Sequence, residues 1–269
     1  MLKDITFGQY YEASSPVHKC DPRVKIILML CFIVFIFVSQ NAFALALSTV
    51  AVFFVLLLSR VPMKLFLKNL KAIWFVLFFT AVINLFYSNS GTVLLHFWKI
   101  EITTGGIYRS IFMALRIVLL IFISSVLTYT TTPNSLTEAI ERLLSPLKYI
   151  GLKNAVHTFA MMMTIALRFI PTLIEEAEKI MNAQKARGAD LENGSLVERV
   201  KALIPILIPL LISSVRRAYE LAEAMECRCY NGGEGKTRMK QLRMSTVDLY
   251  AIIFIVVFAA LVITLNIIF

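Results

Sequence analysis

From Ile26 to Ser59 the chain carries 34 consecutive residues without a charge, interrupted only in the middle by Ser39-Gln40-Asn41. That is well over the ~20 apolar residues a helix needs to cross a bilayer core about 30 Å thick. The polar tripeptide therefore reads as the turn of a helical hairpin, with spans at about 24–39 and 42–59. Three further apolar runs follow, at about 72–87, 111–129 and 249–269; the last is 21 residues, or about 31 Å of helix. Hydrophobic residues make up 58% of the 269 and charged residues only 16%, against about 25% charged in soluble domains. Mean hydropathy is +0.77. No fold of this length hides so much apolar surface without an apolar phase outside it. The expected fold class is an all-α integral membrane protein with five transmembrane helices. The same composition sets aside intrinsic disorder, a disulfide scaffold and collagen-like repeats.

The charges orient those spans. Net charge is +10, from 27 Lys+Arg against 17 Asp+Glu. In a membrane chain the bland explanation is preferred over a nucleic-acid partner: basic residues gather in cytoplasmic segments. Lys3, Lys19, Arg23 and Lys25 precede the first span, and Arg60, Lys64, Lys68 and Lys71 lie between the second and third. The turn between spans one and two is uncharged, and the link between three and four has only Lys99, Arg109 and Glu101. The segment 130–247 holds 16 Lys/Arg. The N-terminus and 130–247 are thus expected in the cytoplasm and the C-terminus outside, in a cell membrane. Asp4, Glu12 and Asp21 ahead of any apolar run do not resemble a cleavable signal peptide.

These signals divide the chain into a four-span bundle over 1–129, a cytoplasmic helical module over 130–247 and a final span over 248–269. In the module, Ser135-x-x-Glu138 has the form of a capping box. Leu136, Ala139, Ile140, Leu143, Leu144 and Leu147 then recur at helical spacing, which predicts an amphipathic helix. Two long helices are expected next. One runs from about Asn154 to Ala186, with a kink at Pro171 and a stop at Gly188. The other opens with Ser195-x-x-Glu198, contains Pro205 and Pro209, and runs to about Cys229, ended by Asn231-Gly232-Gly233. An offset of 41 residues aligns Arg187 with Arg228, placing an arginine in the last turn of each. One such arginine is ordinarily a helix-end charge complementing the macrodipole. Two of them also suit docking, because a guanidinium presents five donors in a planar fork to an acidic groove.

Chemistry-bearing motifs are otherwise scarce. There is no Walker A, GxSxG or GxGxxG string, and His18, His96 and His157 form no metal pattern. Cys227-x-Cys229 is too tight for an ordinary zinc pair. Cys20 and Cys31 complete a set of four thiols expected to be reduced and facing cytosol or lipid. Met161-Met162-Met163 reads as adaptable packing. The five expected spans contain no Asp or Glu, which disfavours a self-contained secondary transporter or channel, the alternative reading. A membrane enzyme using Cys227 or Cys229 lacks an identifiable base. No cofactor, metal site or catalytic residue is expected.

Two longer strings carry a resemblance. Ser15-Pro16-Val17-His18-Lys19-Cys20-Asp21-Pro22-Arg23-Val24-Lys25 resembles the opening segment of the transmembrane T component of energy-coupling factor (ECF) transporters, ATP-binding-cassette importers of vitamins and metals. Arg168-Phe169-Ile170-Pro171, Glu175-Glu176 and Gln184-Lys185-Ala186-Arg187-Gly188 resemble one of that family's coupling helices. The resemblance implies a non-catalytic subunit that links two ATPase subunits to a substrate-binding membrane subunit, within the lipid bilayer. It implies that Ala186-Arg187-Gly188 docks on one ATPase and the motif at Arg228 on the other. The second motif departs from the family pattern, because Cys227 and Cys229 replace its small residues. The amphipathic face of Leu136, Ile140, Leu143, Leu144 and Leu147 is the implied contact with the substrate-binding subunit. Specificity would lie in that subunit, so the imported compound is not read from this chain.

Overall fold

The computed structural model describes residues 10–87, 93–97, 100–146, 153–189, 196–231 and 244–268. Among them the elements run α1 (Pro16–Lys19), α2 (Pro22–Val38), α3 (Ala42–Ser59), α4 (Met63–Tyr87), β1 (Val93–Phe97), β2 (Ile100–Thr103), α5 (Thr104–Thr130), α6 (Pro133–Leu143), α7 (Lys153–Ala186), α8 (Leu196–Glu226) and α9 (Thr246–Ile268). The chain groups into two compact units, Gly8–Leu136 with Gln241–Phe269, and Thr137–Lys240.

The first unit is a bundle of α2, α3, α4, α5 and α9. Its core is one apolar cluster that includes Phe32, Ile36, Val52, Phe66, Ile123 and Phe258. Phe32 stacks on Phe258 at 5.0 Å between ring centroids, and Phe66 meets Tyr129 edge-on at 5.3 Å. The hairpin turn lies where the polar tripeptide predicts it: Ser39 follows α2 and Asn41 precedes α3. Ser39 and Ser48 are fully buried and pair across the hairpin at 3.2 Å. Asn69–Ser125 and Ser110–Ala81 contacts show that α4 and α5 run antiparallel.

The N-terminal string binds one end of this bundle. Ser15 caps α1 by accepting from the His18 amide at 3.2 Å, and Asp21 caps α2 by accepting from Arg23. Lys25 donates to the Thr130 carbonyl at 2.9 Å, placing an ammonium on the last turn of α5, where the helix dipole favours a cation. Asp248, 1% exposed, accepts from the Cys20 thiol (2.8 Å) and the amides of Asp21 (2.7 Å) and Ser245 (2.6 Å). At the other end Asn266 meets Val38 and Gln40. Thus α9 lies parallel to α2, and the chain leaves the bundle at Thr130 and returns at Ser245 on the same end.

Several expectations change. The helices α4 and α5 begin nine and seven residues before the apolar runs that marked them. Lys64, Lys68 and Lys71 ride on α4, since long cationic side chains extend away from an apolar helix end without breaking it. A β-hairpin stands where only a polar link was read. The last helix begins at Thr246 and so takes in Asp248, an acid inside an expected acid-free set of spans. Cys20 is not open to the cytosol but buried. Burial first, and the bond to Asp248 second, push its thiol up to about 12. The span count also shifts. Among the described residues six helices are long and apolar enough, by length and composition, to cross a membrane: α3, α4, α5, α7, α8 and α9. The apolar first halves of α7 and α8 add two, while α2 has only 17 residues, about 26 Å of helix.

In the second unit α7 and α8 pack along one another. Contacts between Tyr230 and Met161 and between Arg217 and Glu176 make the pair antiparallel. In these two helices only Ala160 and Ile206 are buried among the described hydrophobic residues.

Candidate functional site

The two long helices end in the same backbone geometry. At α7 the Gly188 amide donates to Lys185 C=O (3.0 Å) and the Ala189 amide to Gln184 C=O (3.0 Å), with Gly188 at φ +88°. This is a Schellman motif, in which a left-handed residue turns the chain back to satisfy free carbonyls. At α8 the Cys229 amide donates to Glu226 C=O (2.8 Å) and the Tyr230 amide to Met225 C=O (3.0 Å), with Cys229 at φ +55°. The bonds correspond one for one. Asn231-Gly232 therefore does not end α8; Cys229 does, in a conformation where a side chain is disfavoured by roughly 1–2 kcal/mol. Gly232 and Gly233 lie outside the described residues.

Each motif sets its arginine at the cap position. Arg187 and Arg228 are both exposed, as are Ala186, Gly188, Cys227 and Cys229. Among the described residues neither guanidinium makes a hydrogen bond or ion pair. Five donors per arginine are thus presented outward from a rigid helix end.

The 41-residue offset also relates Glu176 to Arg217, and these two residues bond to each other at 2.9 Å. Ser213 donates to the other carboxylate oxygen of Glu176. Eleven residues separate Glu176 from Arg187, and eleven separate Arg217 from Arg228. Because the helices are antiparallel, the arginines lie at opposite ends of the pair, each about 16 Å along its helix from this contact. The ion pair thus joins two positions related by that offset. Two arms of equal length result.

The α6 residues are less clear-cut. Ile140 is 39% exposed, while Leu136, Leu143 and Leu144 are half-buried, and Leu147 lies outside the described residues. The helix starts at Pro133 rather than at Ser135. Thr132 is the residue ahead of it, meeting the Ser135 amide (3.4 Å) and hydroxyl (2.9 Å). Ser135 therefore sits within the first turn, and the apparent capping box is displaced by Thr132-Pro133, proline being well suited to open a helix. Ser195, the other expected cap, is outside the described residues, although α8 does begin at Leu196. Glu141 pairs with His157 at 3.4 Å.

Sequence reading missed Asp248. The signal was present: Ser245-x-x-Asp248 ahead of an apolar run has the capping-box form. Among the described residues no group of three His, Cys, Asp or Glu is placed to hold a metal ion.

A family model described as cobalt transport protein, CbiQ, matches residues 13–239. The energy-coupling factor transporter transmembrane protein EcfT of Ruminiclostridium cellulolyticum is 50% identical over 269 residues, all of both chains. The protein of that name from Clostridium kluyveri is 49% identical over 252 residues, 93% of each chain. That of Bacillus subtilis is 42% identical over 261 residues, 97% of this chain and 98% of its own.

Proposed function

The chain belongs to the CbiQ family of transport proteins, and from that premise we propose that it is the energy-coupling transmembrane subunit of an ECF importer. It works in a membrane complex with other ECF components. Two ATP-binding-cassette subunits receive Arg187 and Arg228, one each, and a separate membrane subunit carries the substrate. Hydrolysis belongs to those ATPases and selectivity to the substrate subunit; this chain transmits force between them.

The observation that carries this reading is the matched pair of helix ends. A single exposed arginine is explained by the helix dipole. Two identical caps, equidistant from a central ion pair and facing opposite ways, suit two similar grooves related by an approximate twofold. ATP binding that draws the grooves together would swing α7 and α8 about the Glu176–Arg217 contact. Coupling then requires only that the two states of the helix pair contact the ATPases differently.

The segment 130–247 acts as a cytoplasmic coupling module, with the N-terminus on the cytoplasmic side and the C-terminus outside. The charge-free stretch of α8 runs only from Ala202 to Val215, 14 residues or about 21 Å, short of a ~30 Å hydrocarbon core. The corresponding stretch of α7, Asn154 to Leu167, is equally short and ends at Arg168. Such helices lie along an interface or a partner more readily than they cross. The apolar face around Ile140 on α6 is the companion contact for the substrate subunit.

Reversing both arginines (Arg187→Glu with Arg228→Glu) tests the reading. Losing a buried charged contact costs about 2–5 kcal/mol, so ATPases should no longer co-purify and ATP-driven uptake should stop. Arg187→Lys should restore assembly only in part, because a point charge cannot reproduce the fork. If the arginines merely cap their helices, the change costs about 0.3–1 kcal/mol and uptake persists. Wild-type uptake in the double variant would refute the docking assignment.

A further inference from the structure

Inside the bundle unit, α2, α3, α5 and α9 line a cavity of about 460 Å³ at the end closed by Lys25 and Asp248. It extends from Lys25 to Phe32 along α2 and from Val247 to Phe254 along α9, about 10 Å of helix. Its inner wall includes Phe32 and Ile123, each 4% exposed. Phe54 on α3 and Tyr250 on α9 also line it yet are 49% and 72% exposed, so the cavity opens sideways between those two helices. The walls are almost wholly apolar, and an apolar cavity of this kind does not hold water well. In a membrane its mouth faces lipid.

Size decides the class of occupant. A volume of 460 Å³ over about 10 Å gives a mean cross-section near ~45 Å², whereas a helix 10–12 Å across takes roughly 80–110 Å². A partner's helix does not fit; extended hydrocarbon does. The ammonium of Lys25 is already taken by the Thr130 carbonyl (2.9 Å), the His18 carbonyl (3.3 Å) and the Thr131 hydroxyl (3.5 Å), and it reads no headgroup. Two exposed cations stand at the same end instead. Lys19 adjoins the lining residue Cys20, and Arg60 lies two residues beyond the lining residue Leu58 and reaches the Ser14 carbonyl at 3.4 Å. Helix α1 packs on α3, which brings these two cations to one side of the bundle.

We infer that this cavity binds an acyl chain of an anionic phospholipid from the leaflet at the Lys25 end, with the phosphate held between Lys19 and Arg60. The lipid fills the gap between α3 and α9 and completes the bundle there. The inference does not depend on the docking of Arg187 and Arg228.

Native mass spectrometry of the full complex, exchanged into an equimolar mixture of phosphatidylglycerol and phosphatidylcholine, tests it. The wild type should retain phosphatidylglycerol over phosphatidylcholine by about thirtyfold, as expected for two cations near a headgroup. Ala251→Trp, which fills the cavity from α9, should cut retained lipid at least about tenfold at this tightest site. Should that variant fail to assemble, Val55→Phe fills it from α3 with a smaller addition. Lys19→Gln with Arg60→Gln lies outside the core and should keep the lipid while bringing the headgroup preference close to one. Equal retention of the two lipids by the wild type, or retention unchanged by both cavity-filling variants, overturns the inference. So does loss of a partner subunit, with lipid still bound, in either filled variant, since a protein segment would then be the occupant.

Discussion

The bundle and the α7–α8 pair solve the same problem in opposite ways. Both are built from long apolar helices, yet the bundle buries Ile36, Ala44, Val52, Phe66 and Val262 completely. The pair buries almost nothing: Val200, Leu203, Leu207 and Leu211 on α8 all stay exposed. Most polar groups follow the same division, although Arg116 Nε on α5 is buried without a hydrogen-bond partner among the described residues. In the bundle a carboxylate, a thiol and an ammonium are taken up in a buried network that joins α2, α5 and α9. In the pair, the central Glu176–Arg217 contact is partly solvated, and the end arginines are left open to solvent. An element that satisfies its own groups is a scaffold. One that leaves its charged ends unsatisfied relies on what it touches, and conformational change is drawn from such regions because few internal contacts oppose it.

The sharpest way to test this division is Asp248→Ala. Removing the carboxylate strands the Cys20 thiol and the Asp21 amide in a buried site, which should cost about 2–4 kcal/mol, while the exposed Ser245 amide can turn to solvent. Thermal unfolding of the purified complex in detergent should show it, as a lowered transition for the bundle. A change of less than about 0.5 kcal/mol would mean that the polar lock contributes little beyond the apolar core.

Effects in the helix pair should be smaller, and at the two ends they should have opposite signs. Gly188→Ala puts a side chain into a left-handed conformation and should cost about 1 kcal/mol. An added Cβ meets nothing within 4 Å, so the whole cost is backbone. Cys229→Gly removes the same penalty and should stabilise the end of α8 by up to about 1 kcal/mol. Hydrogen exchange at the Arg187 and Arg228 amides reads both. If the two substitutions shift protection in the same direction, the ends are not equivalent.

Smallest of all should be Glu176→Ala on stability. Its partner Arg217 is about one-third exposed, and solvent screens a pair placed so. The transition temperature should hardly move while uptake per ATP hydrolysed falls, because the centre of the lever is lost. An unchanged ratio would leave the contact as ordinary packing.

Local pattern was enough to read the membrane class, the hairpin turn at Ser39, the arginine at each helix end and the stop at Gly188. These are properties of neighbouring residues: uninterrupted apolarity, a polar break, a glycine where the chain must turn left-handed. The matched termination at Cys229 was not legible, because local preference disfavours a cysteine there and only the backbone bonds of Tyr230 and Cys229 reveal it. Nor was the starting point of α4, since lysines on a helix end and lysines in a loop have the same composition.

The sequence by itself therefore determined that this chain lives in a membrane and that Gly188 closes the first of its long helices. Tertiary structure alone decided that Asp248 locks the termini of α2 and α9, and that Glu176 meets Arg217 at the midpoint of two equal arms. The reason is distance along the chain. Asp248 lies 227 residues from Asp21, and Arg217 lies 41 from Glu176. No periodicity or cap rule reaches across such separations; only the packing of antiparallel and parallel helices brings those groups within hydrogen-bond length.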